Sequence, residues 1–303
     1  MKSASLVSPS SAAPGGQRTA WGQIALFCIL WSSAFASAKI ALHDCPPLIL
    51  LAGRFLVAGL LMLGMAALTG GLRRISWRDF WCLVVLGVFN NGLYLGLSWS
   101  GMTTVSSAFA AVLISTNPLL TGLLAGPVLG ERLGWRQAAG LCLGLAGVVL
   151  VLRSRLTGMH EDLHGTLLVA GGLVSLVAGT LVYKRLAPRS GLWITVGVQS
   201  LAGAVAVLPF ALHYESLQHV RLTASLFWSM AYTIVAVSMG GYALWVTILK
   251  RQSATSASAL HFLMPPLGLL FGWLALGEPV SWQDMAGILP IGLGIWLATR
   301  RAP

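Results

Sequence analysis

The sequence predicts an all-α membrane protein: ten transmembrane helices in two inverted five-helix repeats, with both termini cytoplasmic. Three observations carry that expectation. Between Trp21 and Thr299 the chain is a succession of apolar stretches, each of the ~20 residues a helix needs to cross a hydrocarbon core. Lys and Arg residues collect in alternate joints between these stretches, and the second half of the chain repeats the first.

Composition narrows the class further. Hydrophobic residues make up 56%, charged residues 9%, and mean hydropathy is +0.81, whereas a soluble domain carries about 25% charged residues. Gly contributes 35 of 303 residues, above the ~7% average, as expected where small residues let helices approach closely in lipid. A net charge of +11 would suit nucleic acid if the basic residues formed a stripe. They occur in twos and threes at helix ends instead, so that partner class is excluded.

The spans fall at 21 to 41, 48 to 69, 80 to 98, 104 to 125, 135 to 152, 165 to 183, 192 to 212, 225 to 248, 254 to 276 and 284 to 299. Joints are short, so consecutive helices are antiparallel neighbours. With the N-terminus inside, the inner face receives Lys2, Arg18, Arg73, Arg74, Arg78, Arg132, Arg136, Lys184, Arg185, Arg189, Lys250, Arg251, Arg300 and Arg301. The outer face receives Arg153, Arg155 and Arg221, and the positive-inside rule then fixes the orientation in a bacterial-type inner membrane. Residues 1 to 20, rich in Ser, Ala, Pro and Gly, read as a disordered cytoplasmic tail. Ala34-Phe35-Ala36 mimics a signal-peptidase site, but cleavage there would remove a span that the repeat requires. Cys28, Cys82 and Cys142 within spans, and Cys45 beside one, lack metal-type spacing and read as small buried apolar residues. Most Trp residues, among them Trp21, Trp77, Trp135, Trp193, Trp282 and Trp296, fall at span ends as an interfacial belt.

The repeat is legible residue by residue. Without a gap, Pro118 superimposes on Pro265, Gly130 on Gly277, Glu131 on Glu278, Trp135 on Trp282, Gly140 on Gly287, Gly147 on Gly294 and Arg153 on Arg300. Glu, Trp and Arg are not generic membrane residues, so chance similarity of apolar helices does not account for the match. The units occupy 21–155 and 165–301. Each holds an odd number of spans, so the second copy enters the membrane from the opposite side. Accordingly the Glu131 joint carries Arg132 and Arg136, while the Glu278 joint carries no base. Inverted repeats around a midplane site are a recurring design of secondary transporters.

Leu30-Trp31-Ser32-Ser33 with Lys39, Pro47 followed by Arg54, and the twice-used pattern of a Pro-bearing span, Gly-Glu, a short joint, Gly and Gly resemble the EamA branch of the drug/metabolite transporter superfamily. The resemblance covers nearly the whole chain. It implies ten helices, both termini inside, and export of small metabolites, often amino acids. The second copy's opening span departs from the pattern, with no counterpart of Trp31-Ser32.

Polar groups at mid-depth are costly in lipid and should face the bundle interior. Those positions are the candidate substrate contacts: Asn90, Asn91 and Tyr94 on the third span, Ser115, Thr116 and Asn117 on the fourth, Gln199 and Ser200 on the seventh, Tyr242 on the eighth and His261 on the ninth. Trp31 and Ser32 sit at mid-span, and Trp99 closes the third. The alternative for each is a hydrogen bond between helices, worth about 0.6 to 2 kcal/mol. Pro118 and Pro265 should break their helices and free carbonyls at Ile114 and His261 for a substrate ammonium. Lys39 and Arg54 lie toward the exterior and could meet; the default for Lys39 is snorkelling, whereas Arg54 is deeper and should find carbonyls or a substrate carboxylate. All eight acids lie in joints or at span edges, which leaves facilitated or weakly coupled transport. Glu131 and Glu278 suit caps for the helices that follow them.

An intramembrane enzyme would need paired acids, a His-Glu metal motif or a Gly-x-Ser-x-Gly elbow, and the chain has none. No catalytic residue, metal or cofactor is expected; the expected partners are a small-molecule substrate and the bilayer, for a monomer or weak dimer. A nucleotide-sugar carrier of the same superfamily is the rival, but central cations for phosphate are missing.

Overall fold

The computed structural model describes residues 14–70, 75–105, 110, 113–156, 162–276 and 286–299. Arg73, Arg74, Glu161, Glu278, Trp282, Asp284, Arg300 and Arg301 lie outside them. Every described regular element is helical. Seven helices are long and apolar enough to cross a membrane: α1 (Pro14–Leu42), α2 (Pro47–Leu68), α3 (Trp77–Gly101), α6 (Leu163–Leu186), α7 (Leu192–Tyr214), α8 (Ala224–Arg251) and α9 (Ala254–Leu276). Three shorter apolar helices complete the set: α4 (Asn117–Leu129), α5 (Trp135–Leu156) and α10 (Ile288–Thr299). The outer surface is apolar, with Leu56, Val57, Leu60 and Leu61 exposed on α2 and Val205, Leu208 and Phe210 on α7. Lipid suits such a face; water does not.

Local chemistry sets the element ends. Ser76 and Thr223, at equivalent places in the two halves, accept the Asp79 and Leu226 N–H groups at 3.1 Å each and start α3 and α8. Gly130, at φ 73°, stops α4 in the left-handed conformation that glycine adopts without steric cost. Two boundaries differ from the sequence expectation. Helix α1 begins at Pro14 rather than Trp21. In the fourth span the helical residues at 110 and 113–114 give way to a turn in which the Thr116 hydroxyl donates to Leu113 O at 2.7 Å, and α4 restarts at Asn117, because Pro118 has no N–H to continue the earlier helix and fits a first turn instead.

The helices pair reciprocally between halves. Helix α2 lies along α7, α5 along α10, and α4 against the first turns of α9, while α3 packs on α6 as α8 packs on α1. The α5–α10 seam explains the repeated glycines: a methyl on Gly140 would stand 2.7 Å from Gly294 O, and one on Gly147 would stand 2.8 Å from Gly287 O. Equivalent glycines thus meet crosswise, backbone on backbone. Of the cysteines, Cys28, Cys45 and Cys82 are buried, but Cys142 is exposed on α5, against expectation.

The joints form two groups at opposite ends of α1 and α8. At one end Arg251 donates to Gln23 Oε1, Lys184 to Gln252 O, Arg185 to Val128 O and Arg78 to Leu186 O. At the other, Arg221 N donates to Asp44 O and the Thr223 hydroxyl to Asp44 Oδ2. Carboxylates tie the halves together at both. Glu131 accepts from Ala254 N at 2.9 Å and from the Thr255 hydroxyl at 3.2 Å, and so caps α9 rather than the following helix. Its counterpart in function at the far end is Glu215, which accepts from Leu48 N and Ile49 N at 2.9 and 2.8 Å and caps α2. A carboxylate satisfies orphan N–H groups in the first turn of any helix it can reach, and short joints bring the opposite half within reach.

Candidate functional site

Two helices carry π-helical segments, Val88–Leu93 in α3 and Thr233–Gly241 in α8, at corresponding places in the two halves. Each ends at a tyrosine, Tyr94 or Tyr242, preceded by Gly-x: Gly92-Leu93 and Gly240-Gly241. A π turn rotates the side chains that follow it relative to a regular helix, and such turns concentrate at functional positions. Here both tyrosines are turned to one cavity between the halves.

That cavity is lined by Trp31 and Ala34 of α1, Arg54 and Phe55 of α2, Asn91, Tyr94, Leu95 and Trp99 of α3, Ser200 of α7, and Val237, Ser238 and Tyr242 of α8. The free space inside it is narrow, about 40 Å3. Seven sequence candidates come together there: Trp31, Arg54, Asn91, Tyr94, Trp99, Ser200 and Tyr242.

Arg54 is the dominant charge. Only 6% exposed, it donates from Nε to Ser238 Oγ at 2.9 Å, and its guanidinium carbon lies 5.7 Å from the Phe55 ring centroid. Its two terminal amines make no hydrogen bond to a described residue, and none of the cavity's lining residues is an acid. Lys39, expected from sequence to lie near Arg54, is exposed on α1 and does not line the cavity. Ser238, which fixes the guanidinium, was missed, as were Ala34, Phe55, Leu95 and Val237. The available signal for Ser238 was its place just ahead of the second Gly-x-Tyr, since Asn90 and Asn91 hold the matching place in the first half.

The remaining candidates lie in helix contacts rather than in the cavity wall. The Ser32 hydroxyl donates to Met264 Sδ at 3.3 Å. Asn90 packs where α6 presents Gly179, and the Asn91 amide, besides lining the cavity, donates to Gln199 O at 3.0 Å. Gln199 donates to Thr195 O, Asn117 accepts from the Thr121 hydroxyl at 3.0 Å, and Ser115 is buried. His261 Nδ1 bonds Ser258 O at 3.0 Å, and its ring stands 5.1 Å from Trp245 and 6.5 Å from Phe27. Pro118 and Pro265 both occupy first turns of restarted helices, the second after a 3-10 turn over Leu260–Leu263. That turn spends the His261 carbonyl on Met264 N, so the acceptor expected to be freed there is occupied.

Aromatic rings continue from the cavity in one direction only. Tyr242 meets Trp31 at 5.7 Å, Trp31 meets Phe27 at 5.3 Å, and Phe27 stacks on Trp245 at 5.5 Å between centroids. Phe27 and Trp245 lie on α1 and α8 between the cavity and the end where Gln23 meets Arg251. The column therefore fills the space on the basic side of the cavity.

Comparison with known proteins agrees with this architecture. The sequence model of the EamA-like transporter family matches twice, over residues 20–153 and 163–300. An uncharacterized transporter of Bacillus subtilis is 27% identical over 92% of this chain and 91% of its own. A probable amino-acid metabolite efflux pump of Salmonella typhimurium is 24% identical over 90% and 92%, and a probable terminal-alkyne amino-acid exporter of Streptantibioticus cattleyicolor is 28% identical over 94% of each chain. One crystal structure superposes with a TM-score of 0.78 at 23% identity, covering 93% of this chain and 96% of the other, which speaks to the fold. With two matches that together span almost the whole chain, and described residues that form an all-helical apolar bundle, this multi-pass membrane protein belongs to the EamA-like transporter family.

Proposed function

We propose that this transporter exports small carboxylate-bearing metabolites, amino acids foremost, across the inner membrane by alternating access. Ten spans form two inverted five-helix units, 21–155 and 165–301, after a cytoplasmic tail, and both termini face the cytoplasm. The grouping of Arg78, Lys184, Arg185, Arg189 and Arg251 at one end of the bundle supports that orientation.

The observation that carries the reading is Arg54, a buried cation with free amines on a cavity closed by both halves. A charge at depth is costly, roughly 2.5 to 3.5 kcal/mol on insertion scales, and a bound carboxylate offsets it through a bidentate contact. Trp31, Tyr94, Trp99 and Tyr242 wall the body of the substrate and Asn91 supplies a polar edge. Relatives named as an amino-acid metabolite efflux pump and as an amino-acid exporter support the substrate class. Asp44, Asp79, Glu131, Asp162 and Glu215 are all engaged at helix ends. None is placed to relay protons through the cavity, which supports facilitated or weakly coupled transport.

Counterflow tests this. Liposomes bearing the purified protein and loaded with an unlabelled amino-acid mixture should accumulate labelled amino acid transiently, without an imposed pH gradient. No exchange of any amino acid, or exchange only under a proton gradient, would overturn the reading.

A further inference from the structure

We infer that the cavity reads a carboxylate and an apolar body and does not read an amino group. The inference rests on the cavity's being the transport site and concerns which substrates it takes. Charge inventory is the basis. Among the described residues Arg54 is the one charged side chain lining the cavity, and none of the described acids reaches it. Asp44 binds the Thr223 hydroxyl, Asp79 binds Arg189 N, Glu131 and Glu215 cap α9 and α2, and Asp162 caps α6.

The consequence follows from desolvation. A monocarboxylate entering the cavity neutralises the guanidinium and introduces nothing further to be compensated. A zwitterion brings the same carboxylate plus an ammonium, which must leave water for neutral hydroxyls, one amide and aromatic ring faces, with no carboxylate among the described residues to pair it. An amine without a carboxylate adds a second cation beside Arg54 and loses on both counts. The rest of the wall is aromatic or aliphatic, so selectivity beyond the carboxylate comes from apolar contact. That filter depends on what the site lacks as much as on what it offers. Deaminated or N-acylated acids should therefore bind at least as well as the corresponding amino acids.

Three compounds sharing one aromatic body separate the possibilities: 3-phenylpropionate, phenylalanine and phenethylamine, titrated into the detergent-solubilised full-length protein with binding read by calorimetry. The expected order is 3-phenylpropionate at least as tight as phenylalanine, and phenethylamine at least tenfold weaker than either. In the Arg54→Gln variant the preference for the acid over the amine should disappear, and Ser238→Ala, which leaves the charge but frees the side chain, should reduce it. The ranking in the unaltered protein stands as a test even if Arg54→Gln does not fold. Phenylalanine binding tenfold tighter than 3-phenylpropionate would overturn the inference while leaving amino-acid export intact. Equal or tighter binding of phenethylamine, or no binding by any of the three, would overturn it too. The export reading itself is decided separately by counterflow.

Discussion

Along α5 and α10 the two halves touch through paired glycines, whereas at the two ends of the bundle they are joined through carboxylates that reach helix starts of the opposite half. Gly140 and Gly147 meet Gly294 and Gly287 with no room for a methyl group. At the ends, by contrast, Glu215 and Glu131 hold the first turns of α2 and α9 through side-chain hydrogen bonds. The contrast assigns different physical tasks to the two places. Interlocked backbones allow little sliding, so the seam is held firmly; an end contact of two or three hydrogen bonds can open and close at smaller cost.

Breaking the seam should have the largest effect. Gly140→Ala places a methyl 2.7 Å from both Ala298 N and Gly294 O, atoms that cannot turn aside as a side chain would. A loss of about 3 kcal/mol is expected, the upper part of the range for overpacking. Gly268→Ala is the matched control, because nothing lies within 4 Å of the added carbon and alanine is the better helix former by ~1 kcal/mol. Thermal unfolding in detergent should show Gly140→Ala strongly destabilised and Gly268→Ala equal to or above the parent. Equal melting of both would mean that the seam is not close-packed.

The end contacts should cost less and act independently. Glu131→Ala and Glu215→Ala each remove a carboxylate from a helix start, a change worth about 1 kcal/mol. Because they sit at opposite ends of the bundle, the double variant should lose the sum. A clearly sub-additive result in the same melts would show that one contact exists only when the other does, which would sharpen the picture into one of linked latches.

How much of this was legible in the sequence follows the same division. Span positions depend on apolar length alone, and α7 from Leu192 and α9 from Ala254 to Leu276 begin or end where periodicity puts them. The repeated Gly-Glu and paired glycines pointed to duplicated structure, yet what they touch was hidden: Glu131 caps α9 of the other half, and that partner is a matter of three-dimensional packing. In the candidate site, Arg54, Trp31, Asn91, Tyr94, Trp99 and Tyr242 were readable because charge and polarity at mid-depth are expensive. Ser238 and Phe55 were not, since a serine and a phenylalanine are ordinary in any span. Nor does periodicity distinguish a polar residue facing a cavity from one facing a neighbouring helix, and so Gln199, Asn117 and His261 joined the candidates but belong to helix contacts. The two π segments were the largest omission; an inserted turn changes which face a residue presents without changing composition.

The smallest effect should come from Asp44, and its sign can be worked out. Its carboxylate accepts from the Thr223 hydroxyl and lies 3.2 Å from His43 Nδ1, and these contacts, the Thr223 bond first, hold its pKa below the ordinary carboxylate value of ~3.9. A depressed folded-state pKa means the ionised form is favoured in the folded protein. The stabilisation is then complete above the ordinary value and fades as pH falls through the lower, folded one. Asp162, depressed chiefly by the Gly165 N–H, adds a contribution of the same sign at another joint. Melting temperature should therefore owe nothing to either group's titration between pH 8 and 5, and should fall below about pH 4. Asp44→Asn keeps an acceptor for Thr223 but cannot titrate, so it should melt slightly lower at neutral pH and lose less on acidification. An Asn variant whose acid decline parallels the parent's would mean that this joint carries no charge-dependent hold, and the end contacts would then be set by backbone capping alone.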